Sequence, residues 1–219
     1  MSSSRKLGRP ESSGKDSRYV PLFDYDEKRI VAVSKTTLSS DLIRAARLDS
    51  SLYAQAKVDT TTIARALTVV ALLALAHGVG GAIRATAFER DSPFEGFLIG
   101  VYGEVVFWAV AASVVYLVGT SVLGGTATYG QVLRPFSFAG VPGLLILVAA
   151  LASLLDSGAQ IFVFTVLVPW RVAASFVAVR QGLQLDRVKS SVALLAGAVC
   201  GLVMVTVGTT LATVLEILG

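Results

Sequence analysis

The chain has 219 residues, of which 54% are hydrophobic and only 16% charged, and its mean hydropathy is +0.70. Soluble domains carry about a quarter charged residues. This composition therefore excludes an ordinary soluble protein and, with apolar runs of about twenty residues, points to a polytopic membrane protein. The net charge of +4 is uneven: eleven of the nineteen Lys and Arg residues lie in Met1–Thr61, with eight of the fifteen acids.

Met1 to Arg18 is rich in Ser, Lys, Arg, Gly and Pro and is expected to be disordered, because it has too little apolar surface to offset chain entropy. Tyr19, Leu22, Phe23 and Tyr25 then gather apolar side chains in a polar context. Two readings fit them: a segment lying on the protein's own cytoplasmic face, or a docking strand for a partner. Residues 1–37 together read as a cytoplasmic tail. Residues 38–60 read as one or two short amphipathic helices. Ser40 or Asp41 would cap the first, with Leu42, Ile43 and Ala46 on one face; Asp49, Ser50 or Ser51 would cap the second, carrying Leu52, Tyr53 and Ala56. Such helices suit the bilayer interface or the cytoplasmic ends of the spans.

Residues 61–219 read as an all-α membrane bundle of five transmembrane helices, at about Ile63–Ala82, Gly96–Val122, Phe136–Leu155, Ile161–Val179 and Val192–Leu218. Pro142 and Gly143 near the start of the third leave a full span or a re-entrant segment open. The first apolar run starts near Thr62, too late for a cleavable signal peptide, so the first span is expected to act as its own targeting signal.

Loop charges set the orientation. With the tail in the cytoplasm, that side also receives Arg65, Arg134, Arg180, Arg187 and Lys189. The other side receives Arg84 and Arg90, and Asp156 lies in a loop without Lys or Arg. The N-terminus is expected in the cytoplasm and the C-terminus outside.

Two charges fall inside the spans. Glu104 lies about eight residues, or roughly 12 Å, into span two, and Arg171 about ten residues, or roughly 15 Å, into span four. Both spans run in the same direction, so the charges share a depth. Small residues accompany each on its helical stripe: Gly96, Gly100 and Ala111 with Glu104, and Ala174, Ser175 and Ala178 with Arg171. We expect the two to pair across the bundle, since a lone charge at mid-bilayer costs roughly 2.5–3.5 kcal/mol. Such a pair either fixes helix register or forms a polar site for an ion, a proton or a lipid headgroup.

His77 reads as a polar residue near the outer end of span one rather than a metal ligand. Ala193, Gly197 and Gly201 form a small-residue lane on span five, for packing within the bundle or for dimerisation. Cys200 is the only cysteine, so no internal disulfide is possible. No basic stripe with interleaved aromatics, phosphate loop, catalytic triad or zinc motif stands in the sequence. Nucleic-acid binding, catalysis and cofactors are not expected.

The stretches "RAARLDSSLYAQAKVDTTTIARALTVVALLALAHGVGGAI", "YLVGTSVLGGTATYGQVLRPFSFAGVPGLL" and "PWRVAASFVAVRQGLQLDRVKSSVALL" resemble bacterial-type members of the YIP domain family, whose eukaryotic relatives interact with Ypt/Rab GTPases. The resemblance runs from about Arg44 to the C-terminus. It is carried by Gly119, Gly124, Gly125, Tyr129, Gln131, Arg134, Phe138, Ala139, Pro142 and Gly143, then by Trp170, Val179, Arg180 and Gln181. It implies five spans, a cytoplasmic tail, a bacterial inner membrane location and no catalytic residues. Met1–Lys35 does not match the eukaryotic tails, so a GTPase partner does not carry over. The family pattern has apolar residues where this chain has Glu104 and Arg171.

From the residues themselves, Gly124 and Gly125 permit a tight cytoplasmic return, Tyr129 suits the headgroup level, and Arg134 is expected near lipid phosphates. Pro142–Gly143 would bend or thin span three. The expected partners are membrane lipids and a membrane protein or a second copy. The expected role is a scaffold, an accessory subunit or a bilayer organiser, with a small transporter or channel using Glu104 and Arg171 as the alternative.

Overall fold

The computed structural model describes residues 37–88, 92–155 and 157–218. The readings made for the tail, for Arg90 and for Asp156 lie outside them. The described residues are helical almost throughout, without strands.

Thr37, rather than Ser40 or Asp41, caps α1 (Leu38–Ala46); its side chain accepts from the Ser40 amide. Leu48 then takes a left-handed conformation, φ 58°, and turns the chain. Asp49 caps α2 (Ser50–Val58) by accepting from the Ser51 amide at 2.9 Å. Arg44 ties the two helices together. It donates to Asp49 Oδ2 at 2.8 Å, to Gln55 Oε1 at 3.0 Å and to Ser51 Oγ at 2.9 Å.

Five helical runs long and apolar enough to cross a membrane follow. They are α3 (Thr62–Phe88); α4 (Pro93–Leu117), prolonged by a π-helical turn over Val118–Val122; a third run in three pieces; α7 (Ser157–Leu183); and α8 (Arg187–Leu218). The third run joins α5 (Tyr129–Ala139), a 3-10 turn (Val141–Leu145) and α6 (Ile146–Ser153). Most of these helices begin or end several residues beyond the apolar stretches, because caps and polar turns continue them. Ser92 and Glu95 form a capping box at the start of α4, where Pro93 needs no partner for its nitrogen.

The third run corrects the expected boundary most. It starts at Tyr129 rather than Phe136, because Gln131 accepts from the Thr128 amide at 2.8 Å and so seeds a helical turn. Gln131, Arg134 and Pro135 had masked that turn from a reading based on hydropathy. Pro142 and Gly143 do not end the run but tighten it into the 3-10 turn.

This third run sits at the centre, and residues 134–143 are all buried. It packs against α3, α4 and α7, while α4 lies between α3 and α8. The α1–α2 hairpin closes one side, docked on the N-terminal half of α3, on α5 and on the C-terminal half of α7. Ala45, Leu52, Tyr53 and Ala56 share a core there with Val69, Leu73, Phe138 and Ala174. Tyr53 is wholly buried and donates to Ala45 O at 3.2 Å, and burial pushes its phenol well above the usual range. The buried face of α1 is rotated from the expected one: Asp41 and Ala45 point inward and Ile43 is 54% exposed. The cause is electrostatic, because buried Asp41 pairs with Arg65 at the base of α3.

Two close helix approaches brace the frame. A Cβ on Gly96 would lie 2.6 Å from Gly81 O, so α3 and α4 pack there backbone to backbone. A Cβ on Gly197 would meet Ala111 O at 2.8 Å, and Gly201 faces Phe107, so the lane on α8 is used against α4 within the bundle.

Candidate functional site

Near the middle of the bundle three long helices each contribute one polar side chain to a single cluster. Glu104 comes from α4, Arg171 from α7 and His77 from α3. Glu104 is 5% exposed. Arg171 Nη2 donates to Glu104 Oε1 at 2.6 Å, a charge-assisted bond. His77 Nε2 lies 3.4 Å from Glu104 Oε2 and 3.4 Å from Arg171 Nη1. Its other nitrogen, Nδ1, stands 2.9 Å from Leu73 O, a carbonyl that can only accept. That bond places the proton on Nδ1 and leaves the Nε2 lone pair for the Arg171 N–H. Phe107 adds an aromatic face, its ring centroid 5.6 Å from Arg171 Cζ.

The backbone around the cluster is shaped to admit it. A Cβ on Gly143 would sit 2.9 Å from Arg171 Nη1, so the 3-10 turn supplies the room the guanidinium needs. Pro169 inside α7 removes one helical hydrogen bond two residues before Arg171. Between them, Trp170 points away from the cluster, and its Nε1 donates to Ala46 O, the last residue of α1, at 2.9 Å.

Sequence reasoning missed His77. It stands twenty-seven positions before Glu104, and no local spacing links them. The available signal was depth: His77 lies fifteen residues into α3, about 22 Å from its start at 1.5 Å per residue, well inside the span rather than at its edge.

The cluster forms part of the wall of a cavity of about 1270 Å³ between α3, α4, α7 and α8. Apart from the cluster and Arg84, the lining is chiefly apolar or small, for example Phe164, Leu167, Leu194 and Val205. Glu104 and Arg171 thus meet each other and also face a space large enough for a ligand.

The Yip1 domain model matches residues 43–209. The chain belongs to the Yip1 domain family. With its five long apolar helices, it is a multi-pass integral membrane protein. No curated protein and no solved structure matches it.

The residues that carry the resemblance are spread over the fold rather than gathered at the cluster. Gly124 takes φ +75° at the return between α4 and α5, and the Gly125 amide donates to Gly119 O at 2.8 Å. Tyr129 packs edge-on against Tyr116, ring centroids 5.5 Å apart, with its hydroxyl 3.2 Å from Ser113 Oγ. Arg134 departs from its expected place. It is 6% exposed, on the inward face of α5, where Nε donates to Gly130 O at 2.9 Å and Nη1 is buried with no acceptor. Helical register sets this, since Ser137 and Phe138, three and four residues further along the same face, are also buried. Gly143 borders the cluster and Trp170 the hairpin, so these two positions tie the frame to the cluster.

Proposed function

We propose that this Yip1-domain protein is a non-enzymatic integral membrane protein acting through contacts, as a scaffold, an accessory subunit of a membrane complex or an organiser of the bilayer. The observation that carries this reading is the closure of the ion cluster on itself. Arg171 donates to Glu104 at 2.6 Å and neutralises it, and its other terminal nitrogen stands 3.4 Å from His77 Nε2, so the charges are answered within the cluster. The cavity beyond is lined mainly by apolar atoms rather than by a file of polar groups. Ions and protons cross membranes along polar or water-filled paths. A self-neutralised triad fits a register lock between three helices better than a conduction step.

The second reading, a small transporter, draws on the same cavity, because Arg171 and His77 both line it. Purification from native membrane in mild detergent separates the two. A stoichiometric membrane-protein or lipid companion supports the contact role. A lone protein whose proteoliposomes carry a solute flux abolished by Glu104→Gln supports transport and ends the first reading.

The tail belongs on the cytoplasmic side in this proposal, and the membrane is a bacterial inner membrane. The distribution of Lys and Arg supports the orientation. No GTPase partner is proposed.

A further inference from the structure

The cavity beside the ion cluster has three features that the cluster alone does not explain. First, it opens sideways. Val168 and Val172 of α7 and Leu195 and Leu202 of α8 line it and are 51%, 53%, 65% and 60% exposed, so the gap between these two helices faces the membrane rather than either aqueous side. Second, it is long. Its wall on α8 runs from Ser191 to Val205, about 21 Å at 1.5 Å per residue, more than the roughly 15 Å of hydrocarbon in one leaflet. Third, its charge is unbalanced. Glu104 and Arg171 neutralise each other, which leaves Arg84 as the net charge among the lining residues. Arg84 makes no hydrogen bond or ion pair with any described residue. It lies four residues before the end of α3, about 6 Å, at the boundary that faces the α3–α4 loop.

An apolar slot open to hydrocarbon, with one guanidinium at the headgroup level that no described residue pairs, has the complementarity of an anionic amphiphile. We propose that this cavity is a binding site for a membrane lipid with a net negative headgroup. The lipid comes from the leaflet on the α3–α4 loop side, its phosphate on Arg84 and one acyl chain laid between α7 and α8. Arginine binds phosphate through two parallel N–H donors, and basic pockets between membrane helices favour anionic headgroups. A lipid enters from the plane of the membrane, so the lateral gap serves as the entrance without any gate. The inference goes beyond the contact role, because a lipid could sit there whichever partner the protein has.

The test is native mass spectrometry of the full chain in a nonionic detergent, titrated separately with phosphatidylglycerol and phosphatidylcholine. The wild type should hold one phosphatidylglycerol in clear preference to phosphatidylcholine. Arg84→Gln should weaken phosphatidylglycerol binding about fivefold, as expected for one basic residue, and Arg84→Lys, which keeps the charge but not the two parallel donors, should recover only part of it. Leu202→Trp, which fills the slot without touching a charge, should abolish both adducts while the protein stays monodisperse. Equal adducts of the two lipids on the wild type, or an Arg84→Gln variant that binds as before, overturns the headgroup assignment. A photoreactive residue at Leu195 provides a check that does not depend on the variants' folding. A lipid-sized mass gain supports the site, and a cross-link to a second copy or to another protein overturns it.

Discussion

At the scale of single residues, the cluster of Glu104, Arg171 and His77 couples three spans through few bonds. Removing one member of a buried ion pair leaves the other uncompensated, at about 3–5 kcal/mol. Glu104→Ala and Arg171→Ala are each expected to cost that much. The double replacement Glu104→Met with Arg171→Met should cost clearly less than the sum, because no charge is then stranded. Reversible unfolding in mixed micelles measures all of these, and an additive double variant would show that the two do not act as a pair. Exchanging the residues, Glu104→Arg with Arg171→Glu, should retain the folded protein if their mutual contact is what matters. His77→Phe removes a weaker contact and a bond to the Leu73 carbonyl. It should lower stability by about 1–3 kcal/mol, less than either charge variant.

At the scale of elements, the glycines between α3 and α4 set how closely these helices approach. Gly100→Ala places a methyl group against the His77 carbonyl, so the helices must part or shift. Overpacking of this kind costs about 1–3 kcal/mol. Because His77 sits in the same turn, the shift should also disturb the cluster. The check is whether Gly100→Ala and His77→Phe are sub-additive in the same unfolding measurement. The hairpin offers a separate test. Trp170→Phe deletes the bond to Ala46 O and should cost about 1 kcal/mol. It should also raise the rate of proteolysis near Leu48–Asp49 while the spans remain intact. Spans were the most legible elements in the sequence, because twenty apolar residues leave a helix few alternatives in lipid. Their ends were less so. The start of α5 rests on the side chain of Gln131, and the buried face of α1 on a bond from Asp41 to a residue twenty-four positions away.

At the scale of the whole molecule, an odd number of spans puts the two ends of the membrane domain on opposite sides. In a Cys200→Ser background, a membrane-impermeant maleimide should label Thr128→Cys only from the tail side and Phe94→Cys only from the other. Labelling of both from one side would exclude the five-span arrangement. Equal depth of opposite charges made Glu104 and Arg171 readable from sequence, since a helix rise converts position directly into depth. The cavity was not readable in the same way. It arises because α7 and α8 pack less against each other than against other helices, and no residue pattern in either helix records the width of that gap. In the sequence Arg84 is only a loop-side cation, and it is the fold that places it in the cavity wall.

The hydrogen bond from Trp170 to the end of α1 joins two levels of the protein that hydropathy treats as separate. Trp170 precedes Arg171 directly, so the hairpin outside the five spans grips α7 at the turn that carries the half-buried guanidinium. A binder that tugged the hairpin loose would free that turn to rotate, and rotation there withdraws the guanidinium from its carboxylate. Events at the membrane surface would then be felt at its centre through one indole ring, with no change in the distant loops required.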